Sequence, residues 1–529
     1  MPVSLLLRSI LWLTAALLLC GPAQALTLQQ ARALVIGETE DRIAALNQVL
    51  ATADDKTVAL IQALADDAVK FSGDAVYVVK DGKGVDPVSG ADVVVPDSAE
   101  DVINNNQMRG ELDAALASIK LFSDDVAVRA EAVKTLASEP DEAKLALVEK
   151  AWGAETVPAI KEALAQLRSA MWLGSSDKAR RLEAAKALGA SGTPATKTLL
   201  LERRKVETEA DVQAALGASL DQIEGRLAWG ERLGVISTGV SLGSILLLVA
   251  LGLAITYGLM GVINMAHGEL MMIGAYATYV VQNLFRSYLP GIFDAYVPVA
   301  IPISFFAAAL VGAVLERSVI RWLYGRPLET LLATWGISLV LQQAVRTLFG
   351  AQNVPVENPN WLSGGVAVMS NLTLPYNRIA IVVFAVLVLA GVSALIARTR
   401  LGLFVRGVTQ NRRMAACMGV NTARIDTYAF ALGSGIAGLA GCALSQVGNV
   451  GPDLGQGYIV DSFMVVVLGG VGQLAGTVYA ALGLGVLNKL LENWQGAVLA
   501  KIMVLVFIVI FIQKRPQGIF AMKGRSAEA

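Results

Sequence analysis

Two hydrophobic rhythms divide the chain. From Leu26 to about Ala228, apolar residues recur at i, i+3 and i+4 between charged positions, the pattern of amphipathic helices packed in water. From Arg232 onward the charges thin out and long apolar runs take over. The pattern predicts an all-α chain: a helical domain over 26–228, then a polytopic transmembrane bundle over 229–529 with about nine crossings. These are expected at 233–256, 263–284, 295–315, 328–348, 377–397, 427–447, 461–475, 476–490 and 497–513. No Asp, Glu, Lys or Arg occurs from Leu233 to Gly268. As one helix that run would be roughly 50 Å long, against a bilayer core of about 30 Å. The chain must therefore turn back near Tyr257–Asn264, and the return leg opens with Asn264, His267, Gly268 and Glu269. Non-helical backbone at membrane depth survives only where protein or a wet cavity surrounds it, so a broken helix of this kind reads as part of a translocation path.

The helical domain carries an internal echo. Arg129-Ala-Glu-Ala-Val-Lys-Thr-Leu136 matches Arg181-Leu-Glu-Ala-Ala-Lys-Ala-Leu188, and Ile160-Lys-Glu-Ala-Leu164 matches Val212-Gln-Ala-Ala-Leu216, both at an offset of 52. A shared offset predicts a repeated unit of two stacked helix pairs, spaced like HEAT-like α-solenoids; chance likeness between Ala- and Leu-rich helices is the alternative. Ala75-Val-Tyr-Val-Val79 and Ala91-Asp-Val-Val-Val95 flank a Gly/Asp/Pro-rich stretch and predict a small β-hairpin. No catalytic constellation stands out here, and docking or scaffolding suits the domain better. Ahead of it, Arg8, the apolar core Ile10–Leu19 and Ala23-Gln24-Ala25 form the pattern of a secretory signal peptide over 1–25. An uncleaved anchor is the rival reading, and Cys20-Gly21 hints at a lipoprotein box that bulky Leu19 fits poorly. A cleaved signal places the helical domain outside the cytoplasm.

Charge adds direction. Residues 26–228 hold 33 acidic and 23 basic side chains (23 − 33 = −10), and residues 229–529 hold 11 and 19 (19 − 11 = +8). The net charge of −1 thus conceals an acidic, water-soluble half and a basic, apolar one, a balance that argues against nucleic acid. If the first crossing starts outside, three basic groups fall on the inner side: Arg317, Arg321 and Arg326; the run from Arg398 to Arg424; and Lys514-Arg515. Gly350–Tyr376, on the outer side, has no Lys or Arg. Lys489 and Lys501 run against this tally and can snorkel. The three cysteines, Cys20, Cys417 and Cys442, are too scattered for a disulfide framework or a metal cluster. His267 is the single histidine, which leaves no His-based zinc site, and no Gly-x4-Gly-Lys-Ser/Thr occurs, so the chain is not itself a P-loop ATPase. No cofactor is implied.

Three features carry candidate chemistry. In the first interruption, Asn264, His267 and Glu269 line the path, or they shape a half-helix start with Glu269 capping the return helix at the cytoplasmic interface. A second glycine-rich interruption, Gly469-Gly-Val-Gly-Gln-Leu-Ala-Gly476, offers Gly469, Gly470, Gly472 and Gln473, and its Gly472-Gln-Leu474 echoes Gly268-Glu-Leu270. Paired broken segments point to a path at their interface; close helix packing on small residues is the other explanation. Third, Thr399–Arg424 is too polar for the membrane and too long for a turn, and Asn411–Asn421 reads as a short helix ended by Gly419. Its Arg412, Arg413, Met414, Ala415, Ala416, Gly419 and Asn421 suit docking of a soluble partner, or contact with anionic membrane lipid.

Tyr257-Gly-Leu-Met-Gly-Val-Ile-Asn-Met-Ala-His-Gly-Glu-Leu-Met-Met-Ile-Gly-Ala-Tyr276 resembles the signature of the branched-chain amino-acid permease family of ABC importers. Met414-Ala-Ala-Cys-Met-Gly-Val-Asn421 is similar to that family's ATPase-coupling segment, and Arg515-Pro-Gln-Gly-Ile-Phe520 to its usual ending. The large N-terminal domain resembles the urea-transport permease subunit of the family. The resemblance implies a multi-pass subunit of a bacterial inner membrane, its N-terminal domain periplasmic and its C-terminus cytoplasmic. It also implies a second permease subunit in a heterodimer, two cytoplasmic ATPase subunits and a periplasmic substrate-binding protein, with ATP hydrolysis on the partners. Urea or a short-chain amide is the implied cargo, a neutral solute that needs a polar lining and no counter-charge. Branched-chain amino acids are the alternative; a passive urea channel and a membrane sensor are rivals of other classes. One departure stands: Thr399–Arg424 has no acidic residue, unlike the Glu-Ala-Ala loop of other importers, so their coupling contacts do not carry over.

Overall fold

The structure, a computed structural model, describes residues 26–50, 54–80, 83–96, 98–138 and 140–520. The signal expected over 1–25, with Cys20, lies outside them. Contacts divide the chain into two units, Met1–Leu227 and Ala228–Ala529.

In the first unit, α1 (Leu28–Val35), α2 (Thr39–Leu50) and α3 (Asp55–Ala65) bury Leu34, Leu46, Leu60 and Leu64 in one core. Arg42 is buried with them. Its guanidinium donates to the Leu34 and Ile103 carbonyls at 2.9 and 3.2 Å and to Asn104 Oδ1 at 2.6 Å, the pairing that a buried cation requires. The β-region exceeds the expected hairpin. β1 (Val69–Ser72), β2 (Ala75–Lys80), β3 (Lys83–Val85), β4 (Asp92–Val93) and β5 (Glu100–Asp101) form an antiparallel sheet in the order β4-β3-β2-β1-β5. The stretches 75–79 and 91–95 are therefore not partners, since β3 lies between them. Strands of two to six residues are too short for alternation to reveal their pairing.

α4 (Asn106–Lys120), α5 (Val126–Ser138), α6 (Leu145–Ala154), α7 (Pro158–Trp172), α8 (Lys178–Leu188), α9 (Pro194–Val206) and the start of α10 (Ala210–Met260) follow. One clasp occurs twice among them. Arg129 Nε donates to Glu155 Oε2 at 2.8 Å, and Nη1 to the Ser123 and Asp124 carbonyls. Arg181 Nε donates to Glu207 Oε2 at 2.9 Å, and Nη1 to the Ser175 and Ser176 carbonyls. Glu155 Oε1 accepts the N–H groups of Thr156 and Val157; Glu207 Oε1 accepts those of Thr208 and Glu209. Every donor and acceptor is displaced by 52 (181 − 129 = 207 − 155), and each clasp ties the loop entering one helix to the loop leaving the next. Hydrogen bonds from Arg129 hold the Glu155 carboxyl at about 2. Burial alone would raise Glu207, yet Arg181, the Glu209 N–H and Arg203 bring it to about 2 as well.

The second unit holds the rest of α10, then α11 (His267–Tyr288), α12 (Tyr296–Ser318), α13 (Pro327–Phe349), the hairpin β6 (Gly365–Met369) and β7 (Leu372–Pro375), α14 (Tyr376–Arg398), α15 (Arg400–Gln410), α16 (Arg412–Cys417), α17 (Thr422–Ser445), α18 (Leu454–Gly469), α19 (Leu474–Gln495) and α20 (Ala497–Lys514). Six of the described helices are long and apolar enough to cross a membrane: Ala210–Met260, Pro290–Ser318, Tyr376–Arg398, Thr422–Ser445, Leu474–Gln495 and Ala497–Lys514. Of the other three expected crossings, two fall on α11 and α13, while 461–475 covers the second half of α18, the turn after it and the first residues of α19. α18 has only 16 residues, while α11 and α13 carry the polar side chains of the site described below.

Small residues set the spacing of α11, α12 and α17. A Cβ on Gly274 would overlap the Gly438 backbone, and one on Gly438 would lie 2.5 Å from the Ser304 carbonyl; Gly441 meets the Met271 carbonyl in the same way. Such backbone contact is how helices associate where lipid removes the hydrophobic drive. Gly438→Ala is expected to destabilise the solubilised chain by about 1–3 kcal/mol, as overpacking does. Gly336→Ala, with open space at its Cβ, should leave the melting temperature unchanged; equal melting of the two variants would refute the contact. The clasps predict an acid dependence. Both carboxyls sit below their ordinary 4.5, so their stabilisation is complete above pH 4.5 and is lost as pH falls through about 2. Hydrogen exchange over 123–136 and 175–188 should lose protection within that window and not above it.

Candidate translocation site

α10 leaves helical geometry at Met260. Gly261 takes a φ of +65°, which glycine adopts without a steric penalty, and the chain runs without helix to Ala266. Part of the freed backbone is satisfied by protein. Asn264 Oδ1 accepts the Ala266 N–H at 3.0 Å, the Asn264 carbonyl accepts the His267 N–H at 3.3 Å, and Thr334 Oγ1 of α13 accepts the Met265 N–H at 3.2 Å. Asn264, His267 and Glu269 are all buried. His267 Nε2 meets the Val249 carbonyl at 3.2 Å, with its ring in the space that Gly252 leaves. Gly268 lies backbone to backbone against Gly455 of α18. Glu269 bonds across to a neighbouring helix: its Oε1 accepts Ser338 Oγ at 2.9 Å and Gln342 Nε2 at 2.8 Å, both from α13.

α13 is two-faced. Thr330, Thr334, Ser338 and Gln342 recur every four residues and are buried, whereas Leu328, Leu332, Trp335 and Val340 are exposed. The buried polar stripe is absent from the expected site residues, although its four-residue period inside an apolar helix is legible in the sequence. Between residues 264 and 276, four buried atoms have no hydrogen-bond partner: Asn264 Nδ2, His267 Nδ1, Glu269 Oε2 and the Tyr276 hydroxyl. With Gln282 Nε2 farther along α11, they make five of the eleven such atoms among the described residues. The Tyr276 ring lies 4.7 Å, centroid to centroid, from Phe349 of α13.

At the second interruption α18 ends on Gly469 and α19 begins at Leu474. Gly470 (φ +98°) and Gly472 (φ +76°) turn the chain between them. Gly469 packs on Gly476, Gly472 is exposed and Gln473 is half-buried. The chain's tail closes over this turn, the Ile519 N–H donating to the Leu468 carbonyl at 2.8 Å and the Phe520 N–H to the Gly469 carbonyl at 3.4 Å. A Cβ on Gly258, just before the first interruption, would lie 3.0 Å from Gly472 Cα. The two interruptions thus come together at Gly258 and Gly472.

The family profile described as the branched-chain amino acid transport system permease component matches residues 235–512, more than half of the chain. The chain belongs to this permease family. It is similar to the high-affinity branched-chain amino acid transport system permease protein BraD of Pseudomonas aeruginosa, 29% identical over 53% of this chain and 93% of that protein. The corresponding LivH of Escherichia coli K12 is 29% identical over 53% of this chain and 92% of LivH. A probable branched-chain permease LivH of Methanocaldococcus jannaschii is 23% identical over 55% and 92%. No solved structure matches. Membership makes this chain a membrane-embedded permease component of an ABC-type transporter, a class that works with ATPase and binding-protein partners.

In the permease, the segment from Thr399 to Arg424 forms α15, which was not expected as a helix, and α16. Asn411 caps α16 by accepting the Met414 N–H at 2.9 Å, Gly419 (φ +84°) ends the turn after it, and Asn421 accepts the Arg424 N–H at 3.1 Å. Arg413, Met414, Ala416, Gly419 and Asn421 are exposed, and Ala415 is buried. The Arg412 guanidinium pairs with buried Asp426 and lies 5.1 Å from the centre of the Tyr324 ring. The Tyr324 hydroxyl donates to Glu316 Oε1 at 3.2 Å and touches Met260 Sδ at 2.9 Å, at the last residue of α10. Glu316 also accepts Thr427 Oγ1 at 2.7 Å. Burial, with Asp426 and Glu316 nearby, pushes the Tyr324 phenol up and keeps it neutral. A chain of contacts therefore runs from Arg412 to the first interruption. Glu316, Tyr324 and Asp426 escape a sequence reading because each finds its partner on another element.

Proposed function

We propose that the chain is the membrane-spanning subunit of an ATP-driven importer for a small solute rich in N–H donors, branched-chain amino acids first among them. The family match over residues 235–512 carries this reading, and relatives named for branched-chain amino acids support the cargo. A second reading, urea or a short amide, is favoured by one observation: everything before residue 235 lies outside the family match. That extra unit is the part of the sequence that resembles the urea form. In either case the path lies where the two interruptions meet, with Asn264, His267, Gly268, Glu269, Gly469, Gly470, Gly472 and Gln473 as its wall or gate. Arg412, Arg413, Met414, Ala415, Ala416, Gly419 and Asn421 form the docking surface for an ATPase, and the contacts through Tyr324 carry its movement to Met260. A second permease subunit, two ATPases and a binding protein complete the assembly.

The helical unit, a HEAT-like stack in this reading, lies outside the membrane and α16 inside. The arginine distribution supports this orientation, and so do ion pairs that neutralise the dissenting lysines, Lys489 with Glu492 at 2.7 Å and Lys501 with Asp461 at 3.8 Å.

Cargo is decided by competition in cells carrying the whole importer. Labelled leucine uptake is expected to resist excess urea; urea uptake that resists leucine selects the second reading. Flux that survives inactivation of the ATPases would mark a passive channel and overturn both. Orientation is read at Cys417, exposed at the end of α16, where Cys442 is buried. A membrane-impermeant maleimide should reach Cys417 only from the cytoplasmic face; its modification in intact cells would reverse the topology.

A further inference from the structure

The seam between α11 and α13 differs from the glycine contacts of α11, and from its Thr278 hydroxyl, paired with Ser304 of α12, in leaving polar atoms without partners. Towards α12 and α17 the helix packs backbone to backbone through Gly274, Gly438 and Gly441. Towards α13 it presents Glu269 and, seven residues or about two turns later, Tyr276, against Ser338, Gln342 and Phe349. Both residues are nearly fully buried, at 1% and 2% exposure, and each keeps one polar atom unpaired. An unpaired acceptor in apolar surroundings is costly, and an ionisable side chain there is retained for what it does. Ser338 and Gln342 both donate to Oε1, which anchors the carboxyl at one oxygen and leaves Oε2 without a partner. A held carboxyl with one vacant acceptor recognises an N–H donor.

We propose that this seam is the permease's own solute station: Glu269 Oε2 accepts an N–H of the passing solute and the Tyr276 hydroxyl meets it two turns along. Ser338 and Gln342 are positioning residues. The inference rests on the permease reading and adds to it where, and with which group, the solute is held. An α-ammonium group and a urea or amide nitrogen share the required chemistry.

Glu269→Gln keeps the shape and the bonds to Ser338 and Gln342 while replacing the vacant acceptor with a donor. Tyr276→Phe removes only the unpaired hydroxyl. If these groups merely fill space, Tyr276→Phe deletes an unsatisfied buried group, Glu269→Gln exchanges one for another, and both leave transport alone. The test uses the permease with its partner subunits in proteoliposomes, at saturating binding protein, with labelled leucine and labelled urea in separate arms. Wild-type uptake of whichever solute is carried is expected to fall roughly tenfold or more in Glu269→Gln, the scale of a lost charged hydrogen bond, and by a smaller factor in Tyr276→Phe. ATP hydrolysis stimulated by the binding protein should persist in both, and the Tyr276→Phe complex should melt no lower than wild type. A loss in the leucine arm assigns the ammonium group, and a loss in the urea arm assigns the amide. Unchanged uptake in both variants overturns the proposal, and if Glu269→Gln fails to assemble, unchanged uptake in Tyr276→Phe does so alone. Wild-type importer that carries neither solute would instead refute the cargo reading of the preceding section.

Discussion

A polar backbone inside an apolar bundle has to find its hydrogen bonds in the protein, and the first interruption of this permease is shaped by that demand. Six residues leave helical bonding between Met260 and His267. Several of their groups are taken up by Asn264, by Thr334 of a neighbouring helix and by the turn itself, while His267 reaches back to Val249. The break is therefore held by specific bonds, and the polar residues that close it are the ones a path would need. Its placement also explains why α11 and α13 look too polar for lipid: they face each other across it.

The surroundings of α11 are asymmetric in a way that suits alternating access. On one side, glycines bring three helices into backbone contact, a union that tolerates little sliding. On the other, a column of hydroxyl, amide and carboxyl groups joins α11 to α13 through a handful of hydrogen bonds. Hydrogen-bonded seams can exchange partners at small cost, whereas interlocked backbones move as one body. The contacts from Arg412 through Tyr324 to Met260 arrive at the edge of this second, more adaptable side.

Legibility followed physics. The turn-back before His267 could be read because a charge-free run longer than the bilayer leaves no other solution, and the glycines at 469–472 because positive φ selects glycine. The offset of 52 could be read because the Arg–Glu clasp demands the same residues in both copies. The small sheet was misjudged because its strands are too short to show alternation. The meeting of Gly258 with Gly472, and the joining of Glu316 and Tyr324 to Arg412 and Asp426, stay hidden because they bring together positions from 88 (412 − 324) to 214 (472 − 258) residues apart, which no local period encodes. Glu269 is legible as an expensive residue, but its partners on α13, Ser338 and Gln342, are brought to it by tertiary packing alone.

The tail that closes over the second interruption bears on biosynthesis. The carbonyls of Leu468 and Gly469 are answered by the N–H groups of Ile519 and Phe520, 51 residues later in the chain (519 − 468 = 520 − 469). During co-translational insertion the α18–α19 turn is thus threaded into the bilayer with its acceptors open, and is locked only after α19 and α20 have been made. A product cut short before Ile519 would carry an unsealed turn for the quality-control proteases of the membrane to find.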